Sequence, residues 1–442
     1  MGYIGGEGRE QGTLFPVVLD DLIPADPVCR VIDAFVDRLA MSELGFERSE
    51  AAETGRPGYD PRDLLKLYLY GYLHTIRSSR RLEAECRRNV ELMWLPGRLY
   101  PDHKSIAEFR RVHRDAVTAA GAELVRFAQG FGLIKGEWIA IDGTKFRAVS
   151  STGSVRERLA VERYLDSCAQ ADEETQAEID PSAVEAALEK LKRHREPEAR
   201  IMLVSGTKVP AYNVQTAVDA EHALIVTHAV TLHAADNRQL EPMAEAAQKA
   251  LAVEKLNVVA DAGYSNSEQA ARCEQKGILP HVPANRSINN QGGGGMFDRT
   301  AFRYQPETDT CFCPAGKTLQ RKQISKKDKA IYYTASKADC GACALKPRCT
   351  QAPQRLMTRL LDEDALNRMH ARATPQAMQL RRSTVEHPFA ALKYRIFGHP
   401  RLLLRGTRGA EIEIGLATMA YNLQRIFNLL GGATLTQKLN PA

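Results

Sequence analysis

The chain has 442 residues, of which 44% are hydrophobic and 26% are charged, and its formal net charge is +6. Such a length and composition predict a globular protein with two or three domains and real hydrophobic cores. The mild positive charge is compatible with a polyanionic partner without requiring one. No stretch approaches the roughly 18 apolar residues of a membrane span, and residues 1–8 lack the basic start and apolar core of a secretory signal.

Residues 1–134 are predicted to form a helical domain. Asp60 and Pro61 make a good helix start, with a capping aspartate followed by proline at the first helical position. Arg80 and Arg81 follow two serines at another predicted helix start, where free backbone N–H groups favour anions. These features suit a DNA-binding domain, and they equally suit a plain helical bundle with a solvated charged face.

Two apolar stretches each end in an aspartate. Residues 138–141 are typical of a short buried strand, and Asp142 and Gly143 follow at its end. Residues 256–260 repeat this design and lead into Asp261. An unpaired carboxylate is expensive to bury, so we expect the two aspartates to bind a cation; the alternative for Asp142 is a simple Asp-Gly turn.

The pattern around these strands predicts the first part of an α/β domain, residues 135–284. A charged helical hairpin at 156–200 is predicted to be inserted after the first strand, with a solvated face. The remaining predicted elements are a β-hairpin near 212–230, a helix capped by Asp236 and reaching 253, the strand before Asp261, a helix at 268–275 and a strand at 278–282. This order predicts a mixed five-stranded sheet with helices on its faces.

A helix near Glu386 is predicted to complete this domain, over residues 371–431. Residues 377–408 contain seven Lys or Arg and a single acid, Glu386, which we expect to join the two aspartates. The alternative is that Glu386 pairs with Arg382 or Lys393. Pro388 is predicted to kink or restart the helix, because it cannot donate a hydrogen bond to the preceding turn. Residues 432–442 are predicted to be a tail.

A basic, cysteine-rich insert is predicted over residues 285–370. A glycine run at 291–295 indicates a flexible join, and residues 301–356 contain eleven Lys or Arg against four acids. This charge favours contact with a phosphate backbone, and the basic run 321–329 is also explained by a solvated hairpin.

The insert also holds five of the nine cysteines. Four of them suit tetrahedral Zn²⁺: Cys313, Cys340, Cys343 and Cys349. Cys311 is a fifth thiol in the same region, and the alternatives are reduced structural cysteines or a disulfide. The other four cysteines are scattered, which favours a reducing, cytoplasmic setting over a disulfide framework.

Together these blocks resemble bacterial insertion-sequence transposases of the DDE type. The blocks are Asp142-Gly143-Thr144-Lys145, Asp261-Ala262-Gly263-Tyr264, the pair Glu386 and Lys393, and the helical segments 59–62 and 101–111. The resemblance covers most of the chain, including the cysteine-bearing insert. It implies a ribonuclease-H-like core and cut-and-join chemistry at the ends of a mobile DNA element.

The resemblance also implies roles for single residues. Asp142, Asp261 and Glu386 match the acids that bind two Mg²⁺ ions, for which Mn²⁺ can substitute. Lys393 matches a lysine that holds a terminal DNA phosphate, and Arg382 matches the family arginine. The tyrosine often found three residues before that arginine is absent, since Gln379 stands there.

The sequence therefore predicts a DNA transposase that acts as a homodimer on DNA and is associated with the nucleoid. Lys145 joins Lys393 and Arg382 as a predicted phosphate contact, and Arg80 and Arg81 are predicted to contact the element ends. Two other functions fit the same residues: a catalytically silent DNA-binding protein derived from a transposon, and a metal-dependent nuclease without joining activity.

Overall fold

The computed structural model describes residues 18–50, 58–171, 179–285 and 296–439. The glycine run 291–295 and residues 1–8 lie outside these ranges. The first part of the chain is helical, as predicted. Its helices are α1 (Val28–Asp37), α2 (Pro61–Leu73), α3 (Ser79–Glu85), α4 (Val90–Trp94), α5 (His103–Val112) and α6 (Arg114–Gly130).

Helix α2 is the buried centre of this region. It begins where the sequence predicts, because the Asp60 side chain accepts a hydrogen bond from the Arg62 N–H at 2.8 Å and Pro61 fills the first helical position. The Tyr68 hydroxyl donates to the carbonyl of Ile106 at 2.7 Å, which joins α2 to α5. Arg77, just after α2, forms an ion pair of 3.1 Å with the fully buried Glu413 of the C-terminal part. The helical region is therefore packed on the rest of the protein.

The largest sheet confirms the predicted α/β class. Its strands are β1 (Trp138–Arg147), β2 (Arg200–Val204), β3 (Thr207–Asp219), β4 (Ile225–Thr231), β5 (Leu256–Val259) and β6 (Ile278–His281). β3 pairs antiparallel with β1, and β2 and β4 share its other edge. β1, β5 and β6 run parallel, so their carboxyl ends meet at one edge of the sheet. This is the mixed ribonuclease-H-like arrangement that the resemblance implies.

Helices pack on the sheet, and one helical hairpin leads into an additional strand. A helical hairpin follows β1, as predicted, and ends in β2, a strand that the sequence analysis missed. The helices are α7 (Thr152–Ala169) and α8 (Pro181–Lys192) of the hairpin, α9 (Leu240–Leu251) and α10 (Ser267–Gln275). One continuous hydrophobic core joins the sheet to α7, α9 and α10 and to the N-terminal helical region.

A second sheet forms the cysteine-rich insert. Its antiparallel strands follow one another in space: β7 (Arg303–Gln305), β8 (Thr310–Phe312), β9 (Thr318–Ser325), β10 (Ala330–Thr334) and β11 (Leu356–Leu360), with the short helix α11 (Lys337–Gly341) before β11. The basic run 321–329 spans β9 and the β9–β10 turn, and most of it is exposed to solvent.

The chain then returns to the large core. Helix α12 (Glu363–Arg372) packs on α10, and Arg368 and Arg372 both form ion pairs with Glu274. The last helices are α13 (Pro375–Ala390), α14 (Gly406–Leu430) and α15 (Gly432–Leu439). The stretch expected to be a tail thus contains α15, which packs on α1. Although α14 has 25 residues, no described helix is long and apolar enough to cross a membrane.

Candidate active site

Asp142 lies inside β1 rather than at its end. The antiparallel pairing with β3 continues to Arg147, whereas the parallel pairing with β5 stops at Ala140. Asp142 therefore sits just beyond the parallel ladder, in a strand that is still held on its other side. Its Oδ1 atom accepts a hydrogen bond from the N–H of Gly143 at 2.9 Å.

Asp261 follows β5 at the same edge of the sheet. It caps the 3₁₀ turn Ala262–Tyr264, and its Oδ1 atom accepts a hydrogen bond from the N–H of Gly263 at 2.8 Å. In both aspartates Oδ1 thus accepts a hydrogen bond from a nearby backbone N–H, and Oδ2 is available to bind another group.

That partner is Arg381, a residue of α13 that the sequence analysis did not single out. Its Nη2 atom lies 3.0 Å from Oδ2 of Asp142 and 3.6 Å from Oδ2 of Asp261. Burial raises the pKa of Asp142, while the Arg381 guanidinium and the Gly143 N–H act against this rise. The two carboxylates consequently share one positive charge, and the Asp-Gly turn is not the whole explanation of Asp142.

Glu386 lies on the same helix without contacting the aspartates. Its side chain is exposed, and it forms no hydrogen bond or ion pair with a described residue. The pairing with Arg382 or Lys393 that the sequence left open is therefore not formed. Arg382 is exposed too, so it is its neighbour Arg381 that reaches the aspartate pair.

Helix α13 continues through Pro388, so the predicted restart does not occur there. Pro388 is buried within the helix, and the irregularity comes later, as a π-helical segment at Ala391–Ile396. Lys393 lies in this segment. Burial lowers its pKa, nearby Lys145 acts in the same direction, and Asp142 opposes them, so the lysines and the aspartate lie within electrostatic reach of one another.

A polar network packs against the β1 backbone next to Asp142. Oδ1 of Asp236 accepts hydrogen bonds from the side chains of Asn213 and Gln215, both at 2.7 Å, and Oδ2 lies 3.3 Å from Nζ of Lys145. The Tyr264 hydroxyl donates to Gln215 at 2.5 Å. The prediction that Asp236 caps a helix is wrong, because α9 starts only at Leu240 and the Asp236 side chain belongs to this network instead.

Gly143 makes this close packing possible. A Cβ atom at this position would lie 2.1 Å from Nε2 of Gln215 and 2.8 Å from Oδ1 of Asp236. Only glycine lets the network approach the backbone next to Asp142 so closely.

The remaining predicted residues lie away from the aspartates. Arg80 and Arg81 are exposed in the first turn of α3. Cys313, Cys340, Cys343 and Cys349 surround one small cavity in the insert. Across the described ranges, no three His, Cys, Asp or Glu side chains are grouped closely enough to hold a metal ion without further movement.

Comparison with known proteins gives two family matches. Residues 17–112 match a transposase domain (DUF772), and residues 135–423 match a transposase DDE domain. Among curated proteins, none matches this sequence. Among solved structures, the piggyBac transposase synaptic complex with hairpin DNA is similar over 92% of this chain and 73% of that chain, with 10% identity and a TM-score of 0.35.

The similarity to piggyBac is too weak to relate individual residues. The DDE domain, in contrast, spans well over half of the chain and contains both aspartates, Arg381 and Glu386. The protein therefore belongs to the insertion-sequence transposases of the DDE type, which are DNA-acting polynucleotidyl transferases.

Proposed function

We propose that this transposase cuts DNA at the ends of its own insertion sequence and joins those ends to target DNA. Asp142, Asp261 and Glu386 are its catalytic acids in this proposal. The observation that carries it is the convergence of the two aspartate Oδ2 atoms, from neighbouring parallel strands, on the single cationic group of Arg381.

The aspartate pair fits a divalent metal by its chemistry. Carboxylate oxygens are the ligands that Mg²⁺ prefers, and the pair already shares a cation. Bound there, two Mg²⁺ ions would neutralise the charge that develops at the entering and leaving oxygens of a phosphoryl transfer. We propose that Asp142 and Asp261 would be ligands of these ions, and that Mn²⁺ would be a substitute metal.

Glu386 is the third proposed ligand, and it has to approach the pair. Its side chain has no partner among the described residues that would hold it in its exposed position. The π-helical segment that follows α13 is a place where such a helix adjusts its register. We propose that metal and DNA draw Glu386 towards Asp142 while Arg381 gives way.

Cations around the pair are proposed to hold the DNA. Lys393 lies within electrostatic reach of Asp142 and Lys145, and Arg382 is exposed on the preceding helix. Each offers a charge-assisted hydrogen bond to a phosphate oxygen. Arg80 and Arg81, at the start of α3, are proposed to contact the element ends. A homodimer would bring two such ends together.

The test is a cleavage and joining assay with labelled DNA that carries the ends of the protein's own element. Wild type with Mg²⁺ is expected to nick the ends and join them to a target. Asp142→Asn, Asp261→Asn and Glu386→Gln should bind the ends normally and lose at least about 10²–10³-fold in rate, since each removes a proposed metal ligand and with it charge stabilisation at the reacting phosphate.

Matched variants control for the loss of a carboxylate. Asp166→Asn and Glu185→Gln change exposed acids of the helical hairpin and should leave the rate unchanged. Normal cleavage by Glu386→Gln would remove Glu386 from the proposal. Wild type that binds but never cuts would favour a silent DNA-binding protein, and cleavage without joined products would favour a nuclease.

A further inference from the structure

The cysteine-rich insert has very little hydrophobic core of its own. Among its described residues, the buried cluster has seven members: Phe302, Cys311, Leu319, Tyr333, Ala335, Cys349 and Met357. Its strands β7 and β8 have three residues each. Modules this small rarely reach stability through apolar burial alone and usually carry a disulfide or a structural metal. The insert thus needs a cross-link.

Four thiols from three separate chain segments line one cavity inside this module. Cys313 follows β8, Cys340 lies in α11, and Cys343 and Cys349 lie between α11 and β11. The cavity has a volume of about 20 Å³. That is room for one ion or one water molecule, because a single water already requires roughly 10–15 Å³. All four cysteines are free thiols in this arrangement.

The backbone at Cys313 forms a tight turn, and one of the other thiols accepts a backbone hydrogen bond. The N–H of Cys313 donates to the carbonyl of Lys317 at 2.9 Å, and the N–H of Gly316 donates to the carbonyl of Cys313 at 2.8 Å. The N–H of Arg355 donates to the Cys340 sulfur, 3.4 Å away. A backbone donor to sulfur, such as the Arg355 N–H, is the kind of outer partner that orients and stabilises a metal-bound thiolate.

Charged groups around the cavity suit a negative centre. Lys317, Lys346 and Arg355 line it together with a single acid, Asp339. Zn²⁺ with four thiolates carries a net charge of −2, which these cations offset. A divalent cation also stabilises the deprotonated form of its thiol ligands.

Cys311 is excluded from this group by its position. Its side chain is fully buried in the core of the insert and is not part of the cavity wall. A thiol that is fully buried in apolar surroundings is typical of an inert structural cysteine. The fifth cysteine, which the spacing alone left open, is thereby separated from the other four.

We propose that the insert binds one structural Zn²⁺ through the thiolates of Cys313, Cys340, Cys343 and Cys349. Binding exchanges the four thiol protons for the metal ion and draws the sulfur atoms inward to close the cavity. The tetrahedral tetrathiolate then fixes β8, α11 and the segment before β11 to one another. This holds the basic β9–β10 hairpin in a defined orientation.

The test measures the metal content of the full-length protein, purified under reducing conditions and dialysed against a metal-free buffer. Wild type is expected to retain one zinc per chain and to release it when a mercurial reagent modifies its thiols. The double variant Cys340→Ser with Cys343→Ser should contain none. Replacement of zinc by Co²⁺ should give the thiolate-to-cobalt charge-transfer absorption of a tetrahedral site.

Two cysteine variants outside the group are the matched controls. Cys168→Ser in α7 and Cys311→Val in the insert core should keep the full zinc content. Wild type without stoichiometric zinc would overturn the proposal, and so would a Cys340–Cys343 disulfide found in its place. The wild-type result decides the question even if the double variant fails to fold. It is also independent of cleavage activity, so the failure of either proposal can be recognised separately.

Discussion

The aspartates and the glutamate of the proposed triad are held in different ways. Asp142 stands on β1 and Asp261 stands just after the end of β5, and each has one oxygen tied to a backbone N–H. Glu386 stands on a helix that contains an internal proline and runs into a π-helical segment, and its side chain is exposed. The strand half of the site, Asp142 and Asp261, is therefore preformed, while the helix half, Glu386 on α13, is adjustable.

This difference has a physical origin in the fold. Asp142 is fixed by the pairing of β1 with β3, and the network around Asp236 packs directly against the β1 backbone. A helix that lacks one hydrogen bond at Pro388 and has wider turns after Ala390 is held chiefly by its buried face. Arg381, on this helix, forms ion pairs with both aspartates, and in our proposal metal takes its place.

The largest expected effect comes from breaking the strand half at Gly143. Gly143→Ala places a methyl group against Gln215 and Asp236, so we expect a loss of about 1–3 kcal/mol in the free energy of unfolding. Displacement of Asp142 should reduce cleavage at least about 100-fold. Urea unfolding and end-cleavage assays measure the two effects.

Gly153→Ala is the control for this substitution. Gly153 lies in the first turn of α7 with open space around it. Alanine there should be neutral or slightly stabilising and leave cleavage intact, because it favours the helix. Full activity of Gly143→Ala would contradict a preformed strand half.

The next largest effect is expected at Asp236. Asp236→Asn removes the ion pair with Lys145 and turns an amide group towards two amide donors, at a cost of about 1–3 kcal/mol. Loss of such a supporting group should lower cleavage about 10–100-fold. Cleavage kinetics compared with the exposed Asp166→Asn check this, and equal rates would show that the network is not part of the site.

A smaller effect is expected when the shared cation is removed. In Arg381→Ala, Mg²⁺ no longer displaces a guanidinium, so it should stabilise the variant more than wild type by on the order of 1 kcal/mol at the same Mg²⁺ concentration. Thermal unfolding with and without Mg²⁺ measures this difference. Arg382→Ala, its exposed neighbour, should respond to Mg²⁺ as wild type does. Identical shifts in all three proteins would mean that Arg381 and metal do not compete.

The smallest effect on cleavage is expected from a substitution in α13, the helix that carries Glu386. Pro388→Ala restores a helical N–H, so the free energy of unfolding should rise, by less than the roughly 3 kcal/mol that proline costs in a helix because buried ring contacts are lost. A stiffer α13 should slow cleavage by a few-fold while DNA binding is unchanged. Faster cleavage in this variant would indicate that the helix needs no adjustment.

Much of the fold could be predicted because its patterns are local. The apolar stretches before Asp142 and Asp261, the hairpin between them and the α/β class follow from strand periodicity. Parallel neighbours then place the two aspartates at one edge of the sheet. The extension of β1 beyond Asp142 could not be seen in the same way, because it depends on pairing with β3, which comes much later in the chain.

Other features depend on side-chain directions that spacing does not reveal. Arg381 and Arg382 are adjacent and identical in type, and only the packing of α13 decides which of them faces the aspartates. Asp236 precedes a helix and looks like a cap, although its partners come from β3 and β1. Pro388 is typical of a helix break, yet packing of the buried face of α13 stabilises the helix on both sides of it.

The most direct test of this account is Mn²⁺ binding, measured by electron paramagnetic resonance with and without DNA that carries the element ends. Wild type should bind Mn²⁺ weakly when alone and bind two ions with DNA. Asp142→Asn should bind none at this site in either state, whereas Glu386→Gln should keep the first ion and lose the second together with cleavage. Two ions bound by Glu386→Gln on DNA, or an unchanged site in Asp142→Asn, would contradict a preformed aspartate pair completed by the glutamate helix.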